Sequence, residues 1–170
     1  ADQGYDLAQY RLGTMYEYGQ GVDLDYGIAV DWYQKAADQG LAKAQNSLGN
    51  MYLYGLGVDQ DYGIAVEWYQ KAADQGLDSA QNNLGNMYRD GKGVDQDYGI
   101  AVEWYQKAAD QGYDKAQINL GFMYQNGQGV DQDFGIAVEW YQKAADQGNI
   151  DAQMNLGFMY EYGRDVDQDY

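Results

Sequence analysis

The side chains in this sequence that could do chemistry are carboxylates and amides, because it holds no Cys and no His. Thiol nucleophiles, imidazole bases and Cys/His zinc sites are thereby excluded. Carboxylates recur as Asp-x-Asp, for instance Asp59/Asp61 and Asp95/Asp97, followed by Gly63 and Gly99. The arrangement is like the opening of a calcium loop. Calcium, however, takes about six to eight oxygen ligands, and each turn supplies two carboxylates, with Glu67 or Glu103 a helical turn or more away. No cofactor and no metal are therefore expected, with calcium at these turns kept as the alternative. Paired acids could also cleave a glycosidic bond across a cleft. A catalytic pair would be a singular feature, whereas these acids repeat in every unit, so no catalytic residue is assigned and the chain is read as not an enzyme.

Ten basic residues stand against 27 acidic ones, a formal net charge of −17. Nucleic-acid binding needs local positive charge to release counterions, and an anionic membrane repels an acidic surface, so neither is an expected partner. No run of about 18 apolar residues occurs, so no membrane span is expected. A hydrophobic content of 45% and an aromatic content of 15% argue for a packed core. The chain opens on Ala1-Asp2 with no Met and no signal peptide, as a mature, trimmed or engineered fragment would, and no compartment is assigned.

The elements that must position these groups follow from an internal repeat. Trp occurs at 32, 68, 104 and 140, always 36 apart, and Ala-Gln recurs in register at 8, 44, 80, 116 and 152. Gly57 to Gly76 is identical to Gly93 to Gly112, and 129–148 differs only at Phe134. Such near-identity points to recent duplication or to consensus design. The units are set at about 1–36, 37–72, 73–108, 109–144 and 145–170, the last incomplete, in a single repeat domain spanning 1–170. Each unit reads as two helices. Helix A, about 5–18 in the first unit, ends in a Gly-x-Gly turn at Gly19 and Gly21; helix B starts near Asp25 and stops at Gly40. Asp25, Asp61, Asp97 and Asp133 stand where an N-cap carboxylate would accept the first free N–H groups of helix B. Ile28, Ala29, Trp32, Tyr33, Ala36 and Ala37 form an apolar stripe along it. Neither helix can bury its apolar face alone, so neighbouring units must stack.

The pattern AQxxLGxMYxxGxGVxxDxxxAVxWYxKAAxQG, seen from Ala44 to Gly76, closely resembles the Sel1-like repeat, and it recurs along the whole chain. The resemblance implies an all-α, right-handed α/α superhelical solenoid related to the tetratricopeptide repeats and acting as a protein-binding adaptor. Two departures stand out. Asp23, Asp59, Asp95, Asp131 and Asp167 occupy the position after Gly-Val where many family members carry Pro, and the disulfide that staples each repeat in one subgroup is absent.

Comparing the units with one another separates two faces of helix A. On a wheel of about 100° per residue, the constant Ala8, Gln9, Leu12, Gly13, Met15 and Tyr16 fill one arc. The varying Leu7, Tyr10, Arg11, Thr14, Glu17 and Tyr18 fill the other. The constant arc is expected to be core. A glycine inside a helix costs about 1 kcal/mol against alanine, so Gly13 and its equivalents are expected to allow a close approach by the Trp or Tyr of helix B. The four tryptophans are expected as core anchors.

The varying arc, by the family resemblance, lines a concave groove. Unit by unit it offers Tyr10 and Thr14, Asn46 and Asn50, Asn82 and Asn86, Ile118 and Phe122, Met154 and Phe158, with Asn83 and Asn119 beside the middle pairs. Amides donate and accept together and can hold the backbone of an extended peptide whatever its sequence. The Ile118, Phe122, Met154 and Phe158 end could take a hydrophobic side chain. Against this stands the reading that Asn is a tolerated surface residue and that the apolar cluster packs on a missing neighbour. The expected function is a scaffold binding a protein or peptide segment on this face, with basic flanks favoured by the acidic exterior. Two other classes remain open: a consensus or designed array that assembles end to end through uncapped terminal repeats, and a carbohydrate-binding module using groove aromatics.

Overall fold

A computed structural model of the chain describes residues 5–161, and all regular structure among them is helical. Helices α1 (Tyr5–Tyr18), α3 (Ala42–Tyr54), α5 (Asp78–Asp90), α7 (Asp114–Asn126) and α9 (Ile150–Glu161) are the A helices. Helices α2 (Tyr26–Asp38), α4 (Tyr62–Asp74), α6 (Tyr98–Asp110) and α8 (Phe134–Asp146) are the B helices. Among the described residues, α1, α3, α5 and α7 each pack most extensively on the B helix that follows, and each B helix then packs on the next A helix, so the array grows by stacking hairpins.

The punctuation works as the residues dictate. The Asp25, Asp61, Asp97 and Asp133 carboxylates accept from the backbone N–H of Ile28, Ile64, Ile100 and Ile136 at 2.9–3.0 Å, capping all four B helices. This role accounts for the second Asp of each Asp-x-Asp; among the described residues no three carboxylates come together as a metal cluster. Gly55 ends α3 at φ 67°, in the left-handed region that glycine enters without steric cost. Two residues on, Gly57 has a second constraint. A Cβ there would stand 2.4 Å from the Tyr26 carbonyl carbon in the preceding unit, so the A–B turn of one unit presses on the start of the neighbouring B helix.

The core is built from the constant arc, with a correction to the expected anchor. Tyr33, Tyr69, Tyr105 and Tyr141 are the fully buried aromatics; of the tryptophans expected as anchors, Trp140 is buried in a core cluster, while Trp32, Trp68 and Trp104 are only partly buried. Each tyrosine ring lies against the interior glycine of its A helix. A Cβ on Gly49 would meet Tyr69 Cε1 at 2.5 Å, and one on Gly85 would meet Tyr105 Cε1 at 2.6 Å. The helical glycine is therefore a socket for tyrosine. The tryptophans instead sit between units: Trp68 packs on the core cluster of Tyr33, Leu48 and Met51, and Trp104 on that of Tyr69, Leu84 and Met87. Their outer faces are covered by the lysine three residues on, with Lys71 Nζ 4.0 Å and Lys107 Nζ 3.7 Å from the ring centroids.

The constant glutamines, which the sequence marked as core without a role, tie units together. Gln75 Nε2 donates to Gln45 Oε1 at 2.7 Å and Gln45 Nε2 donates to the Ala37 carbonyl at 3.3 Å; Gln81 and Gln117 repeat the pattern. Gln45 is buried at 5% exposure, so this chain satisfies a polar group that would otherwise cost stability.

Candidate functional site

The A helices lie side by side along one face, as hydrogen bonds between them show. Asn83 Nδ2 in α5 donates to Asn46 Oδ1 in α3 at 3.0 Å, and Asn119 Nδ2 in α7 donates to Asn82 Oδ1 in α5 at 2.8 Å. Asn119 also reaches Asn86 Oδ1 at 3.5 Å. The asparagines expected to stand as independent peptide-binding amides are thus linked into a ladder, and Asn82 is buried at 4% exposure.

A second commitment comes from below. Each core tyrosine projects its hydroxyl onto this face, where a varying residue must receive it. Tyr69 Oη donates to Asn50 Oδ1 at 2.7 Å and Tyr105 Oη to Asn86 Oδ1 at 2.8 Å. Phe122 occupies the same register in α7 and cannot accept; there Tyr141 Oη donates to Gln125 Oε1 at 2.7 Å, one helical turn on. In the first unit Tyr33 Oη bonds Glu17 and approaches Thr14 Oγ1 at 3.4 Å. Variation on this face is therefore partly a set of alternative ways to satisfy one buried phenol. Burial raises the pKa of Tyr33, Tyr69, Tyr105 and Tyr141, at Tyr33 with help from the Glu17 hydrogen bond.

The amides keep capacity for a ligand. The Nδ2 groups of the half-buried Asn46, Asn50 and Asn86 make no hydrogen bond to the described residues, and neither does that of the buried Asn82. Two adjoining concavities share Asn86 and Arg89. One, of about 240 Å³, includes Tyr54, Tyr62, Asn83 and Lys92 in its wall; the other, of about 350 Å³, includes Asn82, Lys115, Ile118 and Asn119.

The structure does not bring all expected residues to one place. Tyr10 and Thr14 belong to the first unit and are tied internally: Thr14 Oγ1 donates to the Tyr10 carbonyl at 3.0 Å, and the Tyr10 ring packs 5.6 Å from Tyr33. Ile118 is half-buried at the seam with the last core cluster. Phe122, Met154 and Phe158 are exposed at 44, 56 and 53%, and Met154 and Phe158 flank Gly157 in a separate hollow on α9. The expected groove is thus a polar stretch across α3, α5 and α7 with an apolar patch beyond it. The carbohydrate alternative requires exposed aromatics; Tyr54 (66%) and Tyr62 (36%) border the polar stretch, and Phe122 and Phe158 belong to the apolar patch.

Sequence reasoning missed the cations. Arg89 takes the position held by Glu17, Leu53, Gln125 and Glu161 in the other units, and Lys115 the position held by Leu7, Lys43, Ser79 and Asp151. Arg89 Nε donates to Asp90 Oδ1 at 2.8 Å, and Lys92 Nζ lies 3.3 Å from Asp90 Oδ2; no other ion pair forms among the described residues. Burial would raise the Asp90 pKa, but the hydrogen bonds and charges of Arg89 and Lys92 prevail and hold it below the usual carboxylate value. The signal was present as a unit-specific substitution on the varying face.

The Sel1 repeat family model matches residues 6–41, 42–77, 78–113, 114–149 and 150–170, a frame that keeps each A–B hairpin in one unit. Among solved structures, the chain is similar to a protective antigen of uropathogenic Escherichia coli with 47% identity and a TM-score of 0.93, matching over 100% of this chain and 36% of that protein. It is similar to a Sel1 repeat protein of Oxalobacter formigenes with 40% identity and a TM-score of 0.92, over 96% of this chain and 67% of the other. An immunity protein of Pseudomonas aeruginosa shares 26% identity with a TM-score of 0.67, over 96% and 61% of the two chains. No curated protein matches the sequence. Among the described residues no helix is long and apolar enough to cross a membrane. Repeats of this kind serve as protein-interaction scaffolds and form a non-enzymatic fold. Matched from residue 6 to residue 170, the chain belongs to the Sel1 repeat family.

Proposed function

We propose that this chain binds an extended segment of a partner protein along the face formed by its A helices, and that it performs no catalysis. The observation that carries this reading is the set of unused amide donors on the half-buried Asn46, Asn50 and Asn86, whose oxygens accept bonds within the protein. Their oxygens are anchored and their N–H groups have no partner among the described residues, so a peptide carbonyl would meet donors that lose little freedom on binding. Tyr10 and Thr14 extend the face at one end, with Asn83 and Asn119 bracing its middle. Ile118, Phe122, Met154 and Phe158 supply the apolar end, where an anchoring side chain of the partner would sit. The exterior charge of −17 favours basic flanks on the partner, and that part of the affinity falls as salt screens it.

A random peptide library selected against the chain tests this reading, with a variant carrying Asn46→Ala, Asn82→Ala, Ile118→Ala and Phe122→Ala as control. Peptides that bind the parent and not a folded variant are expected. Equal binding to both would remove the function from this face.

A second reading rests on α9, where Ile150, Met154 and Phe158 are exposed at 70, 56 and 53%. Copies of the chain would associate end to end through this patch, and mass in solution would rise with concentration. A strict monomer at high concentration would dismiss it.

A further inference from the structure

The charge on the groove runs against the charge of the molecule. Ten basic residues are spread over the chain, and four of them, Lys35, Lys71, Lys107 and Lys143, lie over tryptophan rings on the B helices. Three others, Arg89, Lys92 and Lys115, line the two concavities that meet at Asn86. The carboxylates in the same walls are Asp90 and Asp151, so this stretch carries a small positive balance within a protein of charge −17. None of the three cations is required by the repeat, since the equivalent positions in other units hold neutral or acidic residues as well.

The donors converge as well. Arg89 spends Nε on Asp90 and keeps its terminal guanidinium groups without a partner in the described chain. Lys115 makes no ion pair and lines the same hollow, together with the unused Nδ2 donor of Asn86 and the buried Asn82. A site that offers several N–H donors and two cations, with few acceptors, is matched by an anion having several lone pairs. We propose, resting on the reading of this face as a peptide groove, that its middle seats a carboxylate of the bound segment between Arg89 and Lys115. The preferred segment then has an acidic group at its centre and basic residues outside it, where the acidic exterior takes over. Asp151 shares the hollow and opposes the ligand, so its removal tightens binding.

The test uses the whole chain and four pools of random peptides. Two pools fix a central Glu or its neutral isostere Gln, and two end in a free carboxylate or an amide with no internal acid. Enrichment of the Glu pool over the Gln pool, or of free-acid over amide ends, is expected, and tells which carboxylate is taken. Binding of the enriched peptides should fall at least tenfold in Arg89→Gln and in Lys115→Gln, rise in Asp151→Asn, and stay unchanged in Lys43→Gln, which lies off this hollow. Thermal midpoints check that each variant is folded. Equal retention of charged and neutral pools, with loss on Phe122→Ala, would overturn the carboxylate site and leave the groove standing. No retention of any pool would remove both.

Discussion

The middle of the array and its two ends place the same residues in different surroundings. Gly85 in α5 is a socket, with the Tyr105 ring 2.6 Å from where a Cβ would sit; Gly157 in α9, at the same register, has no described heavy atom within 4 Å. Gly93 presses on the backbone of Tyr62 in the preceding unit, while Gly21 in the first unit meets, among the described residues, only the tip of Met15 at 3.8 Å. On the exposed face, Asn82, Asn86 and Asn119 are linked to each other and to a core tyrosine, whereas Met154 and Phe158 are exposed at 56 and 53%. The difference teaches that identity of sequence between units is a record of contacts. A residue is fixed where a neighbour presses on it, and the groove is specific where its polar groups are held by that same neighbour.

The largest effect that could break this comparison is at the inter-unit glycine. Gly93→Ala puts a Cβ 2.3 Å from the Tyr62 carbonyl oxygen at φ 71°, and should cost about 3 kcal/mol or more in urea unfolding. Gly21→Ala, at φ 76° with Met15 Cε at an ordinary 3.8 Å contact, should cost about 1 kcal/mol from its backbone alone. Equal losses would show that the turn conformation, and not the contact between units, fixes this glycine. Next is the socket pair. Gly85→Ala should lose about 2–3 kcal/mol because the buried ring must shift, while Gly157→Ala should be neutral or gain up to about 1 kcal/mol from helix propensity.

Asn86→Ala separates structure from binding. It strips the Tyr105 hydroxyl of its acceptor and should cost about 1–3 kcal/mol; Phe158→Ala, on an exposed side chain, should stay within about 0.5 kcal/mol while weakening peptide capture. The smallest effect sharpens the same point by pH. Burial lifts the Tyr105 pKa above its ordinary 10.0, so the folded state favours the protonated phenol. The stability this contributes is whole below about pH 10 and is lost as pH rises through the folded value. Tyr105→Phe should therefore show a shallower alkaline decline than the parent, measured by urea midpoints from neutral to high pH.

Much of the fold was legible because the repeat displays its own constraints. The helix boundaries at Tyr18 and Asp38, the Asp25-type caps and the glycine turns follow from local chemistry that needs no tertiary information. The choice of tyrosine over tryptophan as the buried anchor was not legible. Both lie on the same stripe of helix B, and only packing shows that the tyrosine meets Gly49 while tryptophan bridges to the unit before. On the groove, the amide-rich middle and apolar end were readable from the varying arc. The ladder from Asn83 to Asn46 was not, because it joins residues 37 apart and depends on the stagger between units. Arg89 was visible as a departure from the repeat, but its pairing with Asp90 hid its importance until the concavity around it was seen.

The most direct test of the central claim is to record which side chains respond when the tightest peptide from the selection is added. The side-chain amide resonances of Asn46, Asn50, Asn82 and Asn86 and the indole resonances serve for this, since the former lie on A helices and the latter on B helices. The account predicts saturating shifts at the Nδ2 groups of Asn46, Asn50, Asn82 and Asn86, with the indoles of Trp32, Trp68 and Trp104 on the B helices unmoved. Shifts at those indoles with the asparagine amides unchanged would place binding on the opposite helices and contradict it.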